Sequence, residues 1–407
     1  MYDVMQGVRV IECAEHTFVP VAATTLADWG ADVVKIERTT GGGDSARSMA
    51  ILQRPGQKLN GFFEVANRGK RSLALDLTRP EGREVLYRVI PETDVFITSL
   101  RESAREKMGI QPEQLMRLNP RLVYARGTGY GIRGPLAGAP GFDHPSSWCR
   151  SGSAFAQDAR DGKPPPGQPG SVGDLTGGAT LAGAIAAALF RRERTGKGAV
   201  VDHALYLMGS YIMTQSLASA SLAGARPDDP VTARPAGPGH PLIHSYRTRD
   251  DRFLQLCFLM DRWFPDLARR LGREDLIDDP RFADEPGKMA NAQALIDELQ
   301  KEFSKRTLGE WCEALADCEG VWAPQFRPVE VLNDEQALVN GFVTPVATDD
   351  GDAYLASATP GQFDERPVGE LRAAPGWGQH TRQVLAEWGL SAADIADLEA
   401  GGIARQG

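Results

Sequence analysis

The sequence predicts an α/β fold with two domains, a large one built on a Rossmann-like open parallel sheet and a smaller α+β domain. Two observations predict this architecture. Short apolar segments of strand type alternate with helical segments from residue 7 to residue 203, the pattern of a parallel sheet covered by helices. Composition then shifts to Pro, Gly and Asp over residues 224–239, as expected of a linker. A length of 407 residues with 42% hydrophobic content suits two globular domains.

The chain opens with a β-α-β unit. Gly7–Ala14 is predicted to be a strand, His16–Gly30 a helix and Ala31–Glu37 a second strand. Sheets of this kind bind ligands beyond the carboxyl ends of their strands. The residues that follow the two strands are therefore candidate ligand contacts: Glu15, His16, Thr17, Phe18 and Arg38.

The same alternation continues along the chain. Strands are predicted at 71–77, 94–100, 122–128 and 198–203, and helices at 80–90 and 204–222. In the smaller domain we expect strands at 244–247 and 253–257 and helices at 263–271, 292–303 and 308–316. We place the large domain at 1–223, the linker at 224–240, the small domain at 241–322, and a return segment with C-terminal helices at 323–407.

Charge, apolar runs and cysteines exclude several classes of protein. A net charge of -9 and a pI near 5.3 argue against a nucleic-acid binder. No uninterrupted apolar run reaches the roughly 18 residues that span a bilayer, and the N-terminus lacks a signal-peptide core, so we expect a cytoplasmic protein without membrane contact. Five scattered cysteines without a CxxC pair indicate neither a disulfide framework nor a zinc site, and we expect no metal.

Two cationic groups in this acidic chain suit a small polyanionic ligand better than a long polymer. One is the turn at residues 67–71, with Asn67, Lys70 and Arg71, which leads into a predicted strand. The other follows the strand at 94–100 and contains Arg101 and Lys107. A solvated surface turn is an equally good interpretation of each group taken singly.

A glycine-rich loop follows the strand at 122–128. Its GYGIRG sequence at 129–134 matches GxGxxG, but prolines follow at once and leave no helix for a pyrophosphate to meet. We therefore predict a loop that closes over a pocket and ends at Gly141, Phe142, Asp143 and His144. His144 and Asp143 are candidate acid–base or pocket residues, although a structural role is more common for a lone histidine.

Asp174 is the central candidate for chemistry. It stands between a Pro- and Gly-rich loop at 158–170 and a Gly/Ala/Leu-rich helix that ends in arginines and a Gly-Lys-Gly turn. One interpretation is a helix N-cap, because Asp is a preferred capping residue. The other is a carboxylate nucleophile in a pocket where Gly173, Gly177 and Gly178 leave room for a substrate.

The chain lacks GxSxG, Walker A, HExxH and EF-hand motifs. Several of its segments, in order, resemble the class III coenzyme A transferases, the group of formyl-CoA and carnitine CoA-transferases that also contains the α-methylacyl-CoA racemases. The matching segments are GVRVIE, LADWGADVVKIER, NRGKRSLALDL, GYGIRGP with PGFD, and GDLTGG followed by ALFRRERTGKG.

The resemblance implies a mechanism, substrates and an assembly. Asp174 stands where the transferases carry the aspartate that attacks the thioester and becomes an aspartyl-CoA thioester. The substrates would be an acyl-CoA and a carboxylic acid, with no tightly bound cofactor. The family folds as an interlocked homodimer, which we expect here. Positions expected to hold coenzyme A are Thr17, Phe18, Arg38, Asn67, Lys70, Arg71, Ser99, Leu100, Arg101, Lys107 and Gly141.

Two departures and two alternatives accompany this resemblance. The segment usually written ENFRPG is here residues 98–103, TSLRES, and the glycine-rich lid of formyl-CoA transferases is not recognisable, which argues against formyl or oxalate substrates. Racemases of the family pair the aspartate with a histidine directly after the loop glycine, and that position is Phe142 here. The alternatives to a transferase are therefore a racemase, which this residue disfavours, and a non-catalytic acyl-CoA binder, which the presence of Asp174 disfavours.

Overall fold

The structure is a computed structural model, and it describes residues 1–51, 53–157, 167–226 and 238–407. The chain divides into two compact units. The larger unit comprises Met1–Asp229 and Glu335–Gly407, and the smaller unit comprises Pro230–Asp334. The predicted loop at 158–170 and linker at 224–240 lie largely outside the described residues.

The first part of the larger unit alternates strands and helices as the sequence predicts. A π-helical turn, His144–Cys149, lies between the fifth strand and the sixth helix. In chain order the elements are β1 Arg9–Cys13, α1 Phe18–Asp28, β2 Asp32–Glu37, α2 Gly61–Asn67, β3 Arg71–Leu75, α3 Pro80–Val89, β4 Val95–Thr98, α4 Glu102–Met108, α5 Pro112–Leu118, β5 Val123–Thr128, α6 Ser153–Ala156, α7 Val172–Thr195, β6 Ala199–Ala204, α8 Leu205–Ile212 and α9 Thr214–Leu222.

The six strands β1 to β6 form one parallel sheet in the order β3-β2-β1-β4-β5-β6. This confirms the predicted open parallel sheet. The strand order reverses between β1 and β4, because the chain adds β2 and β3 on one side and returns to add β4, β5 and β6 on the other. Crevices at such switch points, beyond the carboxyl ends of the strands, are the usual ligand sites of open α/β sheets.

Helices cover both faces of the sheet, and α1 and α7 pack tightly on one of them. A Cβ added at Gly178 of α7 would lie 2.7 Å from Val21 of α1, so glycine permits this close approach. Leu181, Ala182 and Ile185 of α7 are buried in the same core. By length and composition α7 could cross a membrane, contrary to the expectation from uninterrupted apolar runs. In the structure, 44% of its most apolar stretch is buried inside the chain.

The helix predicted at 204–222 is two helices, α8 and α9. The break lies at Met213, whose ψ of 11° leaves the helical range. No glycine or proline stands there, and so composition gave no signal of the break. None of the residues of α9 is buried in the chain.

The smaller unit is a mixed α+β layer with its own core, which includes Tyr246, Phe303 and Trp311. Three of its strands pair antiparallel in the order β7-β8-β9. The elements are β7 Ser245–Arg247, β8 Phe253–Leu256, α10 Phe264–Leu271, α11 Glu285–Ala290, α12 Ala292–Phe303, α13 Leu308–Ala314, β9 Trp322–Pro324 and α14 Pro328–Val331.

The return segment completes the larger unit. It begins at Glu335 rather than at the predicted residue 323, because β9 pairs with β8 and keeps 323–334 in the smaller unit. The indole of Trp377 donates to the carbonyl of Arg38, and β13 pairs antiparallel with β3 at the edge of the large sheet. The elements are α15 Glu335–Val339, β10 Val343–Ala347, β11 Ala353–Ser357, β12 Leu371–Arg372, α16 Thr381–Glu387, α17 Ala392–Ala400 and β13 Ala404–Arg405.

Candidate active site

Two adjoining cavities follow the carboxyl edge of the large sheet, on either side of the point where its strand order reverses. The larger, of about 490 Å³, lies at the ends of β1, β4 and β5. The smaller, of about 180 Å³, lies at the ends of β1, β2 and β3. Glu15 and Leu100 line both, so the two cavities form one groove across the sheet edge.

The larger cavity gathers several residues that the sequence predicted as coenzyme A contacts. Ser99, Leu100 and Arg101 reach it from the end of β4, and Gly141 reaches it from the glycine-rich loop. The Ser99 hydroxyl accepts a hydrogen bond of 3.0 Å from the Glu15 backbone N–H, which ties the ends of β1 and β4 together. These residues line a cavity because they follow the ends of strands, and their contact with coenzyme A stays a prediction.

The smaller cavity combines an apolar floor, one exposed guanidinium and four acidic residues, Glu15, Glu37, Asp44 and Asp76. Ile36, Leu75 and Leu77 line it together with Met108 of α4. Arg38 stands at its rim, where its Nε donates to the Gly43 carbonyl at 2.6 Å. Within the described chain no carboxylate pairs with Arg38, so its remaining N–H groups are open to a ligand.

Asp174 is the third residue of α7 and not its N-cap, which is Ser171. The capping interpretation of Asp174 is therefore wrong. The residue is half-buried, and none of the described residues donates a hydrogen bond to its carboxyl group. Burial, with a smaller contribution from the nearby Asp143 carboxylate, raises the pKa of Asp174 to about 7. A carboxylate in this state is more basic and more nucleophilic than a solvated one.

The side chain that accepts a backbone N–H at the start of α7 is that of Asp143, not that of Asp174. Its Oδ2 accepts from the Asp174 backbone N–H at 3.1 Å and from the Gln168 side chain at 2.8 Å. Asp143 is buried and holds the start of α7 against the end of the glycine-rich loop. Through Oδ2 it positions the start of α7, while its buried Oδ1 has no hydrogen-bond partner among the described residues.

His144 lies beside this contact but points elsewhere. It is exposed, and its Cε1 lies 3.9 Å from the place a Cβ would occupy on Gly167. It lines neither cavity of the groove. Phe142 does line the larger cavity, and its ring meets the imidazole of His16 edge-on with centroids 5.2 Å apart.

The glycines around Asp174 serve packing and do not leave room for a substrate. A Cβ on Gly173 would overlap the side chains of Asp143 and Ser147, and one on Gly177 would lie 2.8 Å from the Phe18 ring. Gly178 meets Val21 in the same way. Protein atoms already fill the space in front of all three, which corrects that part of the prediction.

Asn67 and Lys70 are wrong as coenzyme A contacts. Both are buried, and the Lys70 ammonium donates to Glu12 Oε2 at 2.5 Å, to the Ala66 carbonyl at 2.7 Å and to Asn67 Oδ1 at 3.2 Å. Lys35 shares Glu12 from the other side at 2.7 Å. Burial lowers the pKa of Lys70 to about 8, with Glu12 opposing that shift. The ammonium is therefore part of the interior and cannot reach a ligand.

Arg71 and Lys107 also lie outside the groove. Arg71 opens β3 and so lies at the amino edge of the sheet, where it pairs with Asp32 at 2.6 Å and Glu387 at 2.5 Å. Lys107 is exposed on α4 and lines neither cavity of the groove. Arg126 of β5, which the sequence did not single out, does line the larger cavity and pairs with Asp202.

Thr17 and Phe18 start α1 beside the groove, but their side chains are buried. The Phe18 ring is 5.6 Å from the imidazole of His203 on β6, whose buried Nε2 has no partner among the described residues. Burial lowers the pKa of His203, which favours its neutral form. No role was predicted for His203, because its position is that of the end of an ordinary strand.

Comparison with known proteins identifies the family. A model described as CoA-transferase family III matches residues 5–381. The chain is 29% identical to the (R)-2-hydroxy-4-methylpentanoate CoA-transferase of Clostridioides difficile, over 97% of this chain and 98% of that protein. It is also 29% identical to the human alpha-methylacyl-CoA racemase, over 97% and 96% of the two chains.

A solved structure gives the same answer at the level of the fold. The CAIB/BAIF family protein from Brucella suis superposes with a TM-score of 0.80 at 27% identity, covering 94% of this chain and 99% of that one. Among the described residues, no group of three or more His, Cys, Asp or Glu side chains could hold a metal ion. The chain is an enzyme that belongs to CoA-transferase family III.

Proposed function

We propose that the protein transfers coenzyme A from an acyl-CoA thioester to a carboxylic acid through a covalent intermediate on Asp174. The observation that carries this proposal is a half-buried carboxyl group with a raised pKa, held at the start of α7 with no hydrogen bond from the described residues. Unpaired, desolvated carboxylates cost stability, and such groups cluster at functional sites.

The proposed reaction needs no base. The Asp174 carboxylate attacks the thioester carbonyl, the C–S bond breaks, and coenzyme A leaves as a thiolate with an acyl-aspartyl anhydride in its place. The thiolate then attacks the aspartyl carbonyl and releases the first acid, which leaves an aspartyl-CoA thioester. The acceptor carboxylate repeats the two steps in reverse, so that Asp174 is regenerated as the new acyl-CoA departs.

The groove supports an orientation for the coenzyme. We place the adenine end in the smaller cavity, whose apolar floor of Ile36, Leu75 and Leu77 suits a base and whose rim carries Arg38 for a phosphate. The pantetheine arm then follows the larger cavity past Ser99. That cavity ends at Gly141 and Phe142, immediately before Asp143 and its contact with the Asp174 backbone.

The racemase is the second candidate, because family membership covers both reactions. A racemase needs two acid–base groups on opposite faces of the α-carbon. Phe142 carries no titratable proton, and the nearby His144 is exposed, with its Cε1 3.9 Å from the position of a Cβ on Gly167. Like Asp174, His144 is not among the residues that line the two cavities. These positions favour transfer over racemisation.

We further propose that the protein is a cytoplasmic homodimer that interlocks through its apolar helices. The surface of α8 and α9 exposes large apolar side chains, with Tyr211 at 72% and Leu222 at 90% exposure. Contiguous apolar surface of this kind is characteristic of interfaces between subunits. Sedimentation or light scattering of the full chain measures this state directly.

Trapping tests the transfer proposal. Incubation with an acyl-CoA followed by hydroxylamine or borohydride should modify Asp174, and peptide mass mapping locates the adduct. The absence of an adduct with every acyl-CoA offered would contradict the proposal. Exchange of the α-proton in deuterated water, with no acceptor acid present, would instead establish the racemase.

A further inference from the structure

One guanidinium beside the candidate active site lies near two aromatic rings and has no acid partner among the described residues. Arg150 follows the π-helical turn His144–Cys149, and its Cζ lies 5.9 Å from the ring centroid of Tyr130 and 5.6 Å from that of Tyr206. None of the described carboxylates pairs with it. The hydroxyl groups of Tyr130 and Tyr206 likewise make no hydrogen bond within the described residues. We call these three residues the Arg150 cluster.

Backbone contacts tie the Arg150 cluster to the proposed coenzyme groove. Tyr206 begins α8, and its N–H donates to the carbonyl of Gly129 at 3.0 Å, directly before Tyr130. The Tyr130 ring in turn lies 3.3 Å from the position of a Cβ on Gly141, which lines the larger cavity. The cluster therefore adjoins the end of the groove nearest Asp143.

The π-helical turn separates Arg150 from Asp143, the residue that contacts the Asp174 backbone. Asp143, at one end, accepts the backbone N–H of Asp174, and Arg150 follows the other end. Seven residues of helix correspond to about 10 Å of axis at most. The Arg150 side chain and a short bifunctional substrate together bridge such a distance.

The chemistry of the cluster is that of an anion site. A guanidinium offers planar, paired N–H donors that match a carboxylate, and stacking on aromatic rings holds it without neutralising its charge. Two phenolic hydroxyls beside it add neutral donors. Arg133, which like Arg150 is exposed, lies on the same loop as Tyr130 and has no aromatic ring beside it among the described residues.

We propose that the Arg150 cluster binds a second carboxylate on the exchanged acid, so that short dicarboxylic acids are preferred substrates. This inference rests on the proposed function, since the first carboxylate is the group that reacts with Asp174. The second carboxylate, at the far end of the same acid, is held by Arg150 and the two tyrosine hydroxyls.

Acceptor pairs of equal length test the inference. Succinate is compared with butyrate and glutarate with valerate, using the full-length protein and one acyl-CoA donor. We expect Arg150→Gln to raise KM for the diacids about tenfold to a hundredfold, the usual worth of a hydrogen bond to a charged group, and to leave the monoacids unchanged. Tyr130→Phe and Tyr206→Phe should also raise KM for the diacids and not for the monoacids, but by a smaller factor. Arg150→Lys should raise KM for the diacids by an intermediate factor.

Arg133→Gln is the matched control and should alter neither class of acid. The inference is overturned if wild type uses monoacids but not diacids, or if Arg150→Gln changes KM equally for both classes. Thermal melts of each variant separate these results from a loss of folding. If no acid accepts coenzyme A and no adduct forms on Asp174, the transfer proposal itself is overturned, and the inference with it.

Discussion

The two edges of the large sheet both carry arginines around a cavity, yet they differ in how those charges are used. At the amino edge a cavity of about 510 Å³ is lined by Arg9 and Arg71, which are paired with Glu92 at 2.5 Å and with Asp32 at 2.6 Å. At the carboxyl edge Arg38 and Arg101 have no carboxylate partner among the described residues. The contrast is not complete, because Arg126 at the carboxyl edge pairs with Asp202, and Arg88 lines the amino-edge cavity without an ion pair among the described residues. We therefore take only the unpaired Arg38 and Arg101, which lie beyond the carboxyl ends of the strands, as candidate ligand contacts.

The largest expected effect concerns the carboxyl edge alone. Asp174→Asn keeps the volume of the side chain and removes the nucleophile, so we expect CoA transfer to fall by at least about 10³-fold and trapping of the aspartyl adduct to cease. Steady-state assays and mass mapping measure both. Arg71→Gln, at the amino edge, should keep activity near wild type; an adduct that persists in the Asn variant would place the nucleophile elsewhere.

The pH dependence of trapping should report the raised pKa of Asp174. Because attack needs the ionised form and that pKa is about 7, the rate of adduct formation should rise tenfold per pH unit up to about pH 7 and level off above it. Between pH 5 and pH 8 the change is therefore about a hundredfold, measurable by rapid quench. A flat profile over this range would mean that the carboxyl group titrates like a solvated aspartate.

Paired substitutions compare the edges directly. Arg38→Gln and Arg101→Gln should each raise KM for acyl-CoA about tenfold with little change in kcat, since a phosphate contact contributes mainly to ground-state binding. Arg71→Gln breaks only partly exposed ion pairs, and so we expect unchanged KM and at most about 1 kcal/mol less stability. A larger KM effect for Arg71 than for Arg38 would reverse the assignment of the groove.

The smallest effect is on stability, and its sign differs between the edges. In the fold the pKa of Asp174 is raised, so its ionisation destabilises the native state increasingly as pH rises from about 4 to about 7. Asp174→Asn should therefore melt a few degrees above wild type at pH 8, with a smaller difference at pH 5. Asp32→Asn at the amino edge loses an ion pair and should melt slightly lower; calorimetry at both pH values compares the two.

Much of the fold followed from the order of strands and helices, because apolar runs and glycines mark where a strand ends. Ser99, Leu100 and Arg101 line the larger cavity for that reason, and their role as coenzyme A contacts stays a prediction. Arg71 failed for the converse reason: it precedes its strand, and the start of a parallel strand faces the opposite edge. That signal was present in the sequence.

Other features depend on contacts between distant segments. The burial of Lys70 depends on Glu12, which is 58 residues earlier and carries no sequence mark as its partner. The role of Asp143 as the cap of α7 depends on how the glycine-rich loop folds back. Pattern and spacing describe single segments of the chain. They could therefore not predict these contacts, or the contact of Arg150 with Tyr130 and Tyr206.

The close meeting of Gly129 and Gly141 bears on how substrate range can change. A Cβ on Gly129 would lie 2.7 Å from the Cα of Gly141, so residues 130–140 leave and re-enter the sheet edge at nearly one point. A lobe closed at its base in this way is an Ω-loop, and such loops tolerate insertion and exchange because their framework is undisturbed. Replacing residues 130–140 between these two glycines should therefore change the wall of the larger cavity, and with it substrate selectivity. The parallel strands and Asp174 would stay in place.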